Sequence, residues 1–441
     1  MKPLTRLKRW LTPGLGIKRW LLLGLLGLLT VNGGVISVTY AVLRELRGTH
    51  ASMTSGYIGL VLIVLGGYLL MWSTRRTVRA IVRVLHPAPP PLVEAFYRQR
   101  VRRGPKLVAI GGGTGLATLL RGLKAYSDNI TAIVAMTDDG GSSGRLREEL
   151  GVLPPGDLRH CLTALAGEEE LLTQLFDYRF RSGTTLLGHS FGNLFLTAMA
   201  DITGDLEQAL RASSRVLAVR GQVLPATLQS MDLVATLVDG TEVRGESQIS
   251  RSTQRIAAVR CEPADPAALP DAVKAILEAD AIILGPGSLY TSLAPNLLIP
   301  EIRAALHQTQ APKLYVCNVM TQPGETDHYS VSDHLRVLLE LGGPGLFSHA
   351  IINEAVPDRL LARYQEKGQY PVRFDQEACD ALGVKVLPAA MLDEGDYVRH
   401  DPTALARAIV DWLLNGRRNS GSKILPFPVE AELSARSKGW L

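Results

Sequence analysis

Three short loops carry most of the residues that could do chemistry. The first is Gly111-Gly-Gly-Thr-Gly115. Glycines let a backbone approach phosphate closely, and a following helix offers free N–H groups and the positive end of its dipole. Gly112, Gly113, Thr114 and Gly115 are the candidates here. The run is not the dinucleotide pattern G-x-G-x-x-G, because Leu116 stands where the last glycine would be. Nor is it a P-loop, since no Gly-Lys-Ser/Thr follows. The second loop, Thr137-Asp-Asp-Gly-Gly-Ser-Ser-Gly144, is followed by Arg145 and Arg147. Asp138 and Asp139 could accept ribose or sugar hydroxyls, or hold a divalent cation such as Mg²⁺ beside a diphosphate, and Ser142 could donate to an oxyanion. The third is Gly285-Pro-Gly-Ser-Leu-Tyr-Thr-Ser292, where Gly287 and Ser288 could clamp a second part of the ligand and Tyr290 could stack on a base or sugar.

Two further segments read as walls of the same site. Pro154-Pro-Gly-Asp-Leu-Arg-His160 brings Asp157 and Arg159 after a turn, and arginine is the natural fork for phosphate. Gly188-His-Ser-Phe-Gly-Asn-Leu194 sets His189 and Asn193 at i and i+4, on one helical face, with His189 a candidate acid or base. Plainer readings stand beside these: a tight turn without ligand, a solvated Asx-turn, a tyrosine bridging core and wet edge, a structural histidine. His328 and His334 lack a third ligand nearby, so no metal site is read there.

Something must hold the loops together, and the flanking runs supply it. Lys106-Leu-Val-Ala-Ile110 is a short apolar strand, the stretch after Gly115 has helical spacing, and Ile130 to Met136 is a second apolar strand. Strand, glycine turn, helix, strand in about thirty residues is a parallel βαβ unit. Ala279 to Leu284 and Lys313 to Asn318 repeat the strand pattern. The expected fold is α/β, a Rossmann-like three-layer parallel sheet over residues 105–420. Asp239-Gly240 between alternating runs signals a hairpin, so a small antiparallel β insertion is expected at about 222–262. One amphipathic helix is expected at 404–414, and a loosely ordered tail at 421–441.

The first hundred residues are of another kind. Residues 20–43 and 53–74 contain no charge, and each run is long enough to cross a bilayer. Basic residues cluster before the first run (a basic N-terminus, 1–19) and after the second (a basic and proline-rich linker, 75–104). The positive-inside bias then gives a two-helix transmembrane hairpin in the inner membrane, with both termini and the soluble domain in the cytoplasm. Residues 1–104 hold 16 Lys/Arg and two Asp/Glu, leaving 31 and 40 for the remainder, a balance of −9. An acidic globular part argues against a nucleic-acid partner. Four scattered cysteines without a C-x-x-C pair argue against structural zinc and against a disulfide framework.

Taken as an ordered set, Ile110-Gly-Gly-Gly-Thr-Gly-Leu116, Met136-Thr-Asp-Asp-Gly-Gly-Ser-Ser-Gly-Arg145, Gly156-Asp-Leu-Arg159, Gly-His-Ser-Phe-Gly-Asn at 188–193, Gly-Pro-Gly-Ser-Leu-Tyr-Thr-Ser at 285–292 and Met320-Thr-Gln-Pro-Gly-Glu-Thr326 resemble the YvcK-type gluconeogenesis factors, relatives of the CofD phospholactate transferases. The resemblance implies a regulator that binds UDP-sugars, notably UDP-N-acetylglucosamine, and acts in cell shape and cell-wall precursor control during gluconeogenic growth. It implies no required cofactor beyond that ligand, a homo-oligomer, and a partner in cell-wall synthesis. By motif, the diphosphate would lie near Gly112 to Gly115 and Ser288, with Asp138, Asp139 and Asn193 toward the ligand's polar groups. Tyr290 and Thr326 would contact nucleotide or sugar. Two alternatives stay open: a CofD-like transferase using Asp138, Asp139 and His189 with Mg²⁺, and an NAD-dependent oxidoreductase. The membrane hairpin departs from the shorter members of the family.

Overall fold

In a computed structural model of the chain, residues 18–46, 53–85, 101, 104–167, 170–183 and 185–420 are described. They fall into two units divided near residue 96. Of the linker expected at 75–104, residues 75–85 are instead helical, continuing the second apolar helix, and 86–100, 102 and 103 lie outside the described residues, as do the first 17 residues and the tail from 421.

The first unit is a pair of long helices, α1 (Lys18–Leu46) and α2 (Met53–Leu85). Glycine lets them touch. A Cβ on Gly34 would lie 2.7 Å from the Gly59 carbonyl, and one on Gly66 would lie 2.7 Å from the Gly27 carbonyl. Glycines seven apart on each helix therefore form the seam, the spacing that keeps a small face aligned through two turns. Trp20 and Trp72 pack edge to face at 5.5 Å, with Arg76 over both rings. The large side chains point the other way, Leu22, Ile36 and Val64 among them. Thr30 and Asn32 satisfy themselves on carbonyls four residues back, and Ser37 reaches across to the Ser55 carbonyl. Two stretches, Trp20–Arg44 and Thr54–Val78, are long and apolar enough to cross a membrane.

The second unit is built on β1 (Leu107–Gly111), whose five residues are all buried. It leads through α3 (Gly113–Leu123) to β2 (Ile130–Val134), then through α4 (Gly141–Leu150), α5 (Gly156–Leu165) and α6 (Phe191–Thr203) to β3 (Gln222–Pro225). After the small strands β4 (Asp232–Leu237), β5 (Glu242–Arg244) and β6 (Ile256–Glu262), the chain returns as β7 (Ala281–Leu284), β8 (Lys313–Val316), β9 (His349–Asn353) and β10 (Lys385–Ala389). The seven-stranded sheet runs β10-β9-β8-β7-β1-β2-β3, and every pairing in it is parallel. Both faces are covered, as a parallel sheet requires. Val108, Ile110, Ile282 and Leu284 enter one core; Leu107, Ala109, Ala281 and Ile283 enter the other, following the two-residue period of a strand.

The chain winds outward from β1 in one direction as far as β3, then restarts beside β1 with β7 and winds the other way. Strand order reverses between β1 and β7, so their carboxyl ends open the crevice where such sheets bind ligands.

Two expectations need adjusting. The antiparallel sheet, in the order β5-β4-β6, occupies residues 232–262, with the expected turn at Asp239 and Gly240. Its predicted start at 222 belongs instead to β3, whose Val223, Leu224 and Pro225 are buried at the edge of the large sheet. The last helix, α7, spans Pro402–Ser420 rather than 404–414, and Asp401 caps it through the Ala404 N–H. It lies against α3 where Gly122 leaves no room for a side chain: a Cβ there would meet the Pro402 carbonyl at 1.9 Å.

Candidate functional site

A cleft of about 600 Å³ opens at the switch point, lined by the loops after β1, β2, β7 and β8. Gly113 adopts φ +64°, a left-handed conformation natural to glycine, and starts α3. Gly115 packs against the loop after β7, where a Cβ would come within 2.7 Å of the Pro286 carbonyl. The two phosphate-type loops are thus in van der Waals contact. Gly112, Gly113, Thr114 and Gly115 all line the cleft.

After β2 the chain turns on Asp138, whose Oδ1 accepts the Gly140 N–H at 2.9 Å. Burial, and next the neighbouring Asp157, hold the Asp138 carboxyl above its usual range. Asp139 faces elsewhere. Its Oδ1 accepts the Ser247 N–H at 2.8 Å, and a Cβ on Gly245 would strike its other oxygen. Asp138 lines the cleft, whereas Asp139 ties the loop to the insertion. Two adjacent carboxylates therefore do not form a joint cation seat. Among the described residues there is no group of three or more His, Cys, Asp or Glu that could hold a metal ion.

Ser142 and Ser143 open α4 and face the cleft. The Ser142 hydroxyl meets His189 Nδ1 at 3.0 Å, and the Ser143 hydroxyl accepts from Asn193 Nδ2 at 3.3 Å. Asn193 belongs to α6, which Ser190 caps through the Asn193 N–H. His189 itself is buried behind Ser142, away from the cleft lining, and burial lowers its pKa. From α5, Arg159 inserts its guanidinium between three acceptors. It donates to Asn193 Oδ1 at 3.0 Å and to His160 Nε2 at 2.5 Å, and it pairs with Asp177. Gly192 is required beside it, since a Cβ would lie 2.5 Å from Arg159 Cδ.

The third loop is held by β8. Gly287 and the Asn318 side chain exchange two hydrogen bonds, and Gln322 donates to the Ser288 hydroxyl at 2.8 Å. Tyr290 and Thr326 are placed differently from the expectation. Tyr290 lies in a single π-helical turn, Leu289–Leu293, that rotates its ring into the core, where its hydroxyl meets Tyr329 at 2.9 Å. Thr326 is fully buried and accepts the Gln322 N–H, bracing the turn from behind. Neither lines the cleft.

Sequence reasoning passed over several residues that do. Glu246 reaches the cleft from the insertion, and burial, with Asp157, Asp138, Glu325 and Asp139 nearby, pushes its carboxyl up to about 9. Tyr364, Gln369, Arg399 and His400 close the far side from the C-terminal part of the unit.

Three helices, α3, α4 and α5, begin at this cleft, and none has a side-chain cap from its N-cap residue, Gly112, Gly140 or Pro155. At α3 the Gly113 N–H is met instead by Asp157 of α5, and the three dipoles together make the cleft suited to an anion.

Comparison with known proteins agrees with this architecture. The family model for the 2-phospho-L-lactate transferase CofD matches residues 107–392, more than half of the chain. A putative gluconeogenesis factor of Nostoc is 54% identical over 92% of each chain. One of Clostridium acetobutylicum is 42% identical over the same shares. The gluconeogenesis factor of Bacillus subtilis is 48% identical, over 70% of this chain and 98% of its own. A crystal structure of a Bacillus halodurans protein, 46% identical, superposes with a TM-score of 0.68 over 70% of this chain and 99% of that one. Residues 97–441 are only 345 of the 441, so a match over 92% reaches into the first unit. The chain belongs to the CofD family, among its gluconeogenesis factors.

Proposed function

We propose that the cleft binds a UDP-sugar, UDP-N-acetylglucosamine first among them, and that the chain is a regulator without turnover. The observation that carries this reading is the convergence of three helix N-termini, none capped by the side chain of its own N-cap residue, on one cleft at the switch point. Such termini favour the oxyanions of a diphosphate. Asp138 and Asn193 line the same cleft and suit ribose or sugar hydroxyls. All four cysteines are buried, so none offers a ready nucleophile. In this reading α1 and α2 cross the inner membrane and keep the sensor beside the site of lipid-linked wall synthesis. It would act there on a cell-wall synthesis partner, in cell shape and precursor supply under gluconeogenic growth.

A CofD-like transferase is the second reading, and one observation favours it. Ser142, on the cleft wall, is hydrogen-bonded to a His189 kept neutral by burial, so the imidazole could accept a proton. Mg²⁺ would then rest on Asp138 alone of the adjacent pair. The two readings separate in a time course: the full chain in detergent is incubated with UDP-N-acetylglucosamine or GDP-linked donors and Mg²⁺, with a hydroxyl-bearing acceptor present to receive the transferred group. Saturable binding with unchanged nucleotide supports the regulator, and time-dependent nucleotide release refutes it.

A further inference from the structure

In an open parallel sheet, the first N–H of the helix after β1 faces the ligand's anion, because it lacks an intrahelical acceptor and lies at the positive end of the dipole. Here that donor is already engaged. The Gly113 N–H donates to Asp157 Oδ2 at 2.6 Å. Both sides are shaped for the contact. A Cβ on Gly112 would lie 2.7 Å from the same oxygen, so glycine is what admits the carboxylate. Asp157 arrives from the first turn of α5, and its side chain is only 16% exposed. Its other oxygen lies 3.9 Å from His160 Nδ1, too far for a hydrogen bond.

The carboxylate thus stands where a phosphate oxygen would stand. One N–H cannot serve both at hydrogen-bond distance, and two anions in contact repel. Asp138 and Glu246 share the neighbourhood, so further negative charge would be resisted unless something moves.

We propose that Asp157 is a built-in competitor for the anion seat, and that a ligand's phosphate engages the Gly112–Gly115 loop only when this side chain turns away. The inference rests on the reading that the ligand carries phosphate, and it makes Asp157 a determinant of affinity and selectivity rather than a ligand contact. A lone phosphate gains too little to displace the carboxylate. A diphosphate held at its other parts by the Ser142–Ser143 and Ser288 walls gains enough. The weakening equals the reciprocal of the fraction of molecules with the seat open. A carboxylate in place about 90–99% of the time would therefore weaken binding roughly 10- to 100-fold.

The test uses the full chain in detergent, titrated calorimetrically with inorganic pyrophosphate and, separately, with UDP-N-acetylglucosamine. Asp157→Asn keeps the shape and removes the charge, and Asp157→Ala removes the competitor. Asp139→Asn makes the same charge change outside the cleft. The expected result is pyrophosphate binding at least tenfold tighter in both Asp157 variants, with no comparable gain for Asp139→Asn. If pyrophosphate tightens but no variant binds the nucleotide sugar, the competitor stands and the sugar-nucleotide reading falls. Equal or weaker pyrophosphate binding by Asp157→Asn with a native near-UV spectrum would overturn the proposal, as would an equal gain from Asp139→Asn. Should Asp157→Ala fail to fold, the isosteric variant decides alone.

Discussion

Asn318 and Gly287 hold each other through two hydrogen bonds: the Gly287 N–H donates to Asn318 Oδ1 at 3.2 Å, and Asn318 Nδ2 donates to the Gly287 carbonyl at 2.9 Å. One carboxamide thus copies the pairing of a strand beyond the point where β7 and β8 have ended, and it fixes the third loop at the cleft. Asn318→Asp keeps the size and loses the donor, setting a carboxylate against a carbonyl. The expected cost is about 1–3 kcal/mol of stability by urea unfolding, together with weaker ligand binding.

Glu246 gives the cleft a pH signature. Its folded carboxyl is pushed up to about 9 from an ordinary value of 4.5, by burial and then by Asp157 and the other acids. Between those values the folded state holds a proton that the unfolded state has released, so stability falls as pH rises through the window. Glu246→Gln removes the titrating group. Thermal unfolding from pH 5 to 9 should then show a flatter profile, with the variant more stable than the parent at pH 8 by about 1–2 kcal/mol. Parallel profiles would contradict this account of the acid cluster.

A close approach of two helices in the second unit also sets a prediction. Gly122 of α3 faces the Pro402 carbonyl and Ala406 of α7 with no space for a methyl group. Gly122→Ala favours the helix locally but forces α7 outward, and the clash should win. We expect a loss of about 2–4 kcal/mol in denaturant unfolding, against the gain of about 1 kcal/mol that propensity alone would give. A stabilised variant would show that α7 packs elsewhere.

Because all four cysteines are buried, a single introduced thiol can report the topology of the apolar helices. Thr49 lies in the sequence between α1 and α2. In intact cells expressing the full chain, Thr49→Cys should react with a membrane-impermeant maleimide while the parent does not. A thiol that reacts only after lysis, or a chain recovered in the soluble fraction, would contradict the proposal that the two helices insert as a hairpin.

Much of this arrangement could be read from the chain, for identifiable reasons. Strands buried on both faces must be continuous apolar runs, so β1, β2, β7 and β8 stood out, and the first three ended in loops whose glycines marked the crevice. What could not be read depends on direction. Adjacent residues of an extended chain point to opposite sides, so Asp138 and Asp139 could not both face a ligand, and the sequence does not say which one does. Tyr290 turns inward because a π-helical turn shifts its phase, a detail without a sequence mark. Glu246 and Arg399 reach the cleft only once an insertion and a C-terminal segment have folded onto it.

The proposed selection of a uridine-sugar diphosphate by this cleft is tested most directly by a calorimetric titration of the full chain with UDP-N-acetylglucosamine, NAD and GDP, each with and without Mg²⁺. The account predicts saturable binding of the uridine sugar, little binding of the other two, and loss of that binding when Asn193 is replaced by alanine. Preferential binding of NAD or GDP would contradict it and hand the cleft to a dehydrogenase or a transferase.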